Sequence, residues 1–130
     1  MKRSLIVPAL VMSGLLAAAT PSSAQANLVV SVARAAENSY GPTPVVIVSS
    51  APVYYVNLDP TLAAHNVEST LRVSCPGRAN GCPAFESDTV SIAQGPVPVE
   101  FNTTLPPGTY EFFCKPHGYN SMRGALQIVA

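Results

Sequence analysis

Turn signals set the grain of this chain beyond its first two dozen residues. Gly41-Pro42, Asp59-Pro60, Pro76-Gly77, Asn80-Gly81, Gly95-Pro96 and Pro106-Pro107-Gly108 interrupt it at short intervals. Proline lacks an amide donor and clashes with the preceding helical turn, so 13 prolines in 130 residues leave little room for helices. The stretches between turns are short, apolar and β-branched: residues 28–32, 45–48, 53–56, 90–93, 97–101, 109–114 and 125–129. Residues 33–39 and 61–66 have room for a helical turn or two, without a long periodic apolar face. The pattern predicts an all-β chain of about seven or eight strands, an antiparallel sandwich or barrel. Within 109–114, alternation places Tyr110, Phe112 and Cys114 on one face and Glu111 on the other.

The first 26 residues read as an address rather than as structure. Met1-Lys2-Arg3 precedes an apolar run, residues 5–19, and then Thr20-Pro21-Ser22-Ser23-Ala24-Gln25-Ala26. A basic end, a short apolar stretch and a small-x-small site describe a secretory signal peptide, with cleavage expected after Ala26. The run contains Pro8 and Gly14 and falls short of the roughly 20 apolar residues a spanning helix needs. No cysteine lies near the cleavage site to take a lipid, and no Arg-Arg pair supports a twin-arginine route. Export to the periplasm or outside the cell is therefore expected, with one domain over 27–130.

Whole, the chain is neutral, with Lys+Arg 7 against Asp+Glu 7. Without Lys2 and Arg3, five cations (Arg34, Arg72, Arg78, Lys115, Arg123) face the same seven acids, a formal −2. Nothing in that balance recommends nucleic acid as a partner.

Three cysteines leave one sulfur over. Cys75 and Cys82 bracket Pro-Gly-Arg-Ala-Asn-Gly, a segment bound to turn back on itself, and in an oxidising compartment they are expected to pair. The alternative pairs one of them with Cys114 and strands a thiol in a loop. Zinc at Cys75 and Cys82 is disfavoured, because six intervening residues exceed the usual spacing. Cys114 then opens Cys114-Lys115-Pro116-His117-Gly118-Tyr119-Asn120-Ser121-Met122, a Cys-x2-His-x4-Met loop. His65, the other histidine, stands at a loop-to-strand boundary, and Met122 is the only methionine after residue 26. Taken singly, each is ordinary: a surface histidine, a buried thiol, a methionine filling the core. Together they form a His2Cys set with a thioether available as a weak axial ligand, a combination that suits one copper ion cycling between Cu(II) and Cu(I). A Cys-His nucleophile pair lacks an orienting third group.

With these residues in view, the chain resembles the cupredoxins, the small blue copper proteins, and most closely their plastocyanin/pseudoazurin-like group. Residues 108–117 and Met122-Arg123-Gly124-Ala125-Leu126 carry the likeness, reinforced by residues 54–59 leading to His65-Asn66-Val67. The resemblance implies a Greek-key β-sandwich with a type 1 copper at one end. Its equatorial ligands would be His65, Cys114 and His117, with Met122 axial. It further implies that Asn66 hydrogen-bonds across the ligand loops, that the His117 edge is the electron port, and that Pro116, Gly118 and Tyr119 belong to an apolar docking surface. Three departures stand out: Phe113 where plastocyanins commonly have tyrosine, no evident acidic patch, and the added Cys75–Cys82 loop. The metal site carries over; a photosynthetic role does not.

The expected function is single-electron transfer between exported or membrane-bound redox proteins, by a monomer that does not span the membrane. Four ligands leave no open position for catalysis, so no enzymatic activity is expected. Copper storage or delivery is the alternative, and a metal-free Ig-like binding module the third reading.

Overall fold

Successive side chains of a strand point to opposite faces, so β-strands such as those at residues 45–48 and 53–57 bury every second residue, and these inward rows meet in one core. A computed structural model describes residues 27–34 and 37–130, with side chains from Ser39 onward; the expected signal peptide, residues 1–26, lies outside the described residues. The strands are β1 (Asn27–Arg34), β2 (Glu37–Gly41), β3 (Val45–Val48), β4 (Val53–Asn57), β5 (Glu68–Ser69), β6 (Arg72–Cys75), β7 (Arg78–Pro83), β8 (Phe85–Ser87), β9 (Val97–Phe101), β10 (Gly108–Phe113) and β11 (Arg123–Val129). Nine of them form one ladder in the order β2-β1-β4-β9-β8-β5-β10-β11-β3, and β6 pairs only with β7. β1 runs parallel to β4 and β11 parallel to β3, while the remaining pairs are antiparallel.

β9 turns the corner between the two halves. Its first two residues, Val97 and Pro98, face Tyr55 and Tyr54 of β4, and the next three face Ser87, Glu86 and Phe85 of β8. At the ladder's ends β3 lies against β1, and β2 against β11, so the sheet nearly closes on itself. Inside, Tyr55, Phe85, Phe112, Val67 and Leu126 are fully buried. The Phe112 ring meets Tyr40 edge-on at 4.8 Å and Phe85 at 6.3 Å. In β10 the expected alternation holds: Phe112 is buried and Glu111 exposed. Among the described residues no helix is long and apolar enough to cross a membrane.

The structure has more strands than the seven or eight expected. The additional ones, β2 and β5 to β8, are short or polar, and the β6–β7 arm is mostly exposed, so no apolar alternation announces them. Residues 33 and 34 end β1, and 37–39 lie in β2, where a helical turn had room to form. Residues 61–66 hold no helix either. Instead of a strand at 90–93, Val90 makes a lone bridge to His65 and a 3-10 turn covers Ile92–Gln94.

Cys75 and Cys82 are disulfide-bonded across the β6–β7 arm, with Cα atoms 5.8 Å apart, and Cys114 is free and buried. Gly81, at φ +67, lets the arm close: a Cβ there would stand 2.4 Å from the Val73 carbonyl oxygen. The bridge constrains a small loop, so replacing both cysteines with serine is expected to cost about 2–3 kcal/mol in urea unfolding. Copper uptake should be unchanged, since the arm holds none of the residues described next.

Candidate metal centre

The C-terminal ends of β4 and β10 and the starts of β5 and β11 share one pole of the sheet. Registers Phe113↔Glu68 and Phe113↔Arg123 set the chain before and after them side by side. Cys114 therefore leaves β10 beside Met122, which leads into β11. The Cys114 amide donates to the Met122 carbonyl at 3.0 Å and closes the loop. Within it, the amides of His117 and Gly118 donate to the Cys114 carbonyl, and those of Ser121 and Met122 to the Gly118 carbonyl. Gly118 has φ +80, a left-handed conformation that a side chain would strain.

His65 comes from a different part of the chain and is held just as firmly. Its backbone exchanges two hydrogen bonds with Val90, at 3.1 and 2.9 Å. Asn57, at the end of β4, donates from Nδ2 to the carbonyls of Ala63 (2.7 Å) and Val90 (2.8 Å), pinning both sides of that bridge.

At the pole three donor atoms converge. Cys114 Sγ lies 3.6 Å from His65 Nδ1 and 3.3 Å from His117 Nδ1, and all three atoms fall within 4.8 Å of one another. The two imidazoles stack at 4.6 Å between centroids. Cys114, His65 and Met122 are 0, 1 and 2% exposed, whereas His117 is only half-buried and gives the cluster its one edge toward solvent. Met122 packs in the same apolar cluster as Cys114. One soft sulfur and two imidazole nitrogens, in a triangle that a single ion can touch on all sides, fit copper.

Burial disfavours charge on Cys114 and His117 in the metal-free site. Burial pushes the Cys114 thiol up, against the pull of backbone hydrogen bonds from Asn66 and His117 and of the Tyr40 hydroxyl. Burial, with the neighbouring His65, pushes His117 down. Tyr40 is raised by burial first and then by Cys114 and Tyr55, so it remains a phenol and donates to the Asn66 carbonyl.

Asn66 ties the segment of His65 to that of Cys114, because its Oδ1 accepts from the Lys115 amide at 2.8 Å. Pro116 is exposed beside His117. Tyr119 packs against Phe113, carries Arg123 over its ring at 5.1 Å and donates to Glu111 at 3.0 Å.

Sequence reasoning missed Asp59 and Tyr40. Asp59 is fully buried and meets His65 Nε2 at 2.6 Å through Oδ2. Its Oδ1 accepts from the amide and the hydroxyl of Thr61 at 2.8 and 2.7 Å. Asp-Pro-Thr reads as a turn, and nothing in the spacing to His65 marks the carboxylate as a partner. The hydrogen bond with His65, then that with Thr61, holds Asp59 at about 2 against an ordinary 3.8. A depressed carboxylate binds its proton less tightly folded than unfolded. Its contribution to stability is thus complete above about pH 4 and drains away toward pH 2. Urea unfolding of the metal-free protein between those values should show it, as a slope shallower in Asp59→Asn than in the parent.

Comparison with known proteins now adds to the geometry. Residues 26–129 match the model of the copper binding proteins of the plastocyanin/azurin family. The chain is a cupredoxin. Among solved structures it is similar to a point mutant of amicyanin in its reduced Cu(I) form, with 22% identity and a TM-score of 0.54 over 81% of this chain and 83% of that one. It is equally similar in fold to the oxidised plastocyanin of the fern Dryopteris crassirhizoma, with 20% identity and a TM-score of 0.54 over 78% and 99% of the two chains. A search of curated protein sequences finds no match. The sandwich and the copper cofactor are thereby those of the cupredoxins, and the disulfide-closed β6–β7 arm is part of this cupredoxin's own outline.

Proposed function

We propose that this cupredoxin carries single electrons between redox proteins in an exported compartment, and that His65, Cys114, His117 and Met122 are the residues that would hold its copper. The observation that carries the reading is the convergence of the three donor atoms within 4.8 Å, from segments tied together by hydrogen bonds of their own. Copper bound there supplies a one-electron Cu(II)/Cu(I) couple.

The chain's own contribution is to hold still and to exclude water. The Cys114–Met122 backbone bond, the Asn66–Lys115 bond and the His65–Val90 bridge fix the donors in advance. A site that does not need to rearrange between two charge states passes electrons with little penalty. Burial of Cys114, His65 and Met122 shields the sulfur from oxidants, and the half-buried His117 offers a short path to a docked partner. Removal of residues 1–26 would release the domain as a monomer outside the cytoplasm, in keeping with its disulfide.

Voltammetry of residues 27–130 loaded with one equivalent of copper tests this. A reversible one-electron wave over many cycles, with copper retained, is expected. Copper that leaves to a chelator as fast as it is reduced would favour a delivery role instead.

A further inference from the structure

Asp59 does more than fold a turn. A fully buried carboxylate is costly unless its oxygens are satisfied, and here each has a separate task. Oδ1 is occupied by the Thr61 amide and hydroxyl, which fix the plane of the group, while Oδ2 is directed at His65 Nε2. The Asp59 amide donates to Asn57 Oδ1 at 2.9 Å, so the residue hangs from the same asparagine that pins the His65–Val90 bridge. Among the described residues no Lys or Arg forms an ion pair with it; its one ionic partner is the histidine. The opposite nitrogen of that ring, Nδ1, faces Cys114 Sγ.

We propose that Asp59 is a positioning residue for the metal centre. It fixes His65 as the Nε2–H tautomer with Nδ1 bare toward Cys114, and its buried charge favours the oxidised state of a metal held there. A neutral imidazole presents a lone pair at one nitrogen and a proton at the other, and a carboxylate acceptor at Nε2 imposes that choice. The charge adds a second effect. Cys114 thiolate and Asp59 together balance a divalent ion, whereas a monovalent ion leaves one buried negative charge over. An uncharged residue at 59 removes that bias. Asparagine also cannot accept from both Thr61 and His65 without turning an NH2 group on one of them, so it disturbs the tautomer as well.

The proposal rests on the copper reading above, and its test separates the two. In metal-free protein at about pH 8, long-range proton–nitrogen NMR is expected to show His65 protonated at Nε2 and bare at Nδ1. A proton on Nδ1 would overturn the assignment without any reference to copper. In the copper-loaded protein, Asp59→Asn is expected to shift the Cu(II)/Cu(I) ratio at a fixed potential at least tenfold toward Cu(I), about 59 mV upward for one electron. Thr61→Val, which keeps the charge and removes one hydrogen bond to Asp59, should shift the ratio by less than Asp59→Asn does. An Asp59→Asn potential equal to the parent's would also overturn it. If Asp59→Asn does not fold, the NMR tautomer of the parent decides alone. Failure of the parent to bind copper would sink the copper reading while leaving the tautomer result standing.

Discussion

Cys114→Ser is expected to abolish the intense visible absorption of the copper-loaded protein and to weaken copper binding by more than about 100-fold, beyond the range seen for outer partners of a metal. The thiolate is the one strongly covalent donor in the cluster, and no other cysteine can replace it: Cys75 and Cys82 are bonded to each other on a separate arm. Serine fits the volume, so the metal-free fold should persist with its β10–β11 pairing intact. The consequence for stability is then a clean linkage effect. At free copper 100-fold above its dissociation constant, the parent should gain about 2.7 kcal/mol over its metal-free form, and the variant almost none. Visible absorption and thermal melts with and without copper check both halves. Retention of the band in the serine variant would place the chromophore elsewhere.

The second large effect lies in the core. Phe112→Ala is expected to destabilise the metal-free protein by about 3–5 kcal/mol, a substantial part of the roughly 5–15 kcal/mol available to a small domain. Phe112 is fully buried between Tyr40 and Phe85, and aromatic residues are only 7% of the chain, so few neighbours can close the cavity. Its partner in β11 is Gly124, where a Cβ would stand 2.6 Å from the ring. Gly124→Ala should therefore cost about 1–3 kcal/mol by overpacking the same space. Because Phe112 precedes Cys114 by two residues on the inward face, copper affinity should fall alongside stability in the alanine variant. An unfolding free energy from urea denaturation within about 1 kcal/mol of the parent's would contradict this packing of the core.

The parts of the fold legible in the sequence are those whose physics is local. β3, β4, β9, β10 and β11 are short runs rich in apolar and β-branched residues between turn signals, and they form where those runs lie. β5 and β8 are two and three residues long, too short for periodicity, and exist because β10 and β9 stand beside them to be paired. Val90 and Ala93 look like the ends of a strand, but the chain spends Val90 on a single bridge that anchors His65 and then turns. At the site, Cys114, His117 and Met122 are readable because nine consecutive residues hold all three, and His65 because it is the one other histidine. Asp59 and Tyr40 were not, since their roles arise from burial and from contacts across 6 residues in one case and 26 in the other. Polar residues of common type acquire meaning only when the fold removes water from around them.

In the proposed function His65, Cys114, His117 and Met122 would hold one copper ion. Visible absorption and electron paramagnetic resonance of residues 27–130 with one equivalent of Cu(II) test it most directly. An intense blue thiolate-to-copper band and a narrow copper hyperfine splitting are expected, both saturating at one copper per chain. A colourless protein, or weak absorption with the wide splitting of ordinary Cu(II), would mean that the donors do not converge on the metal.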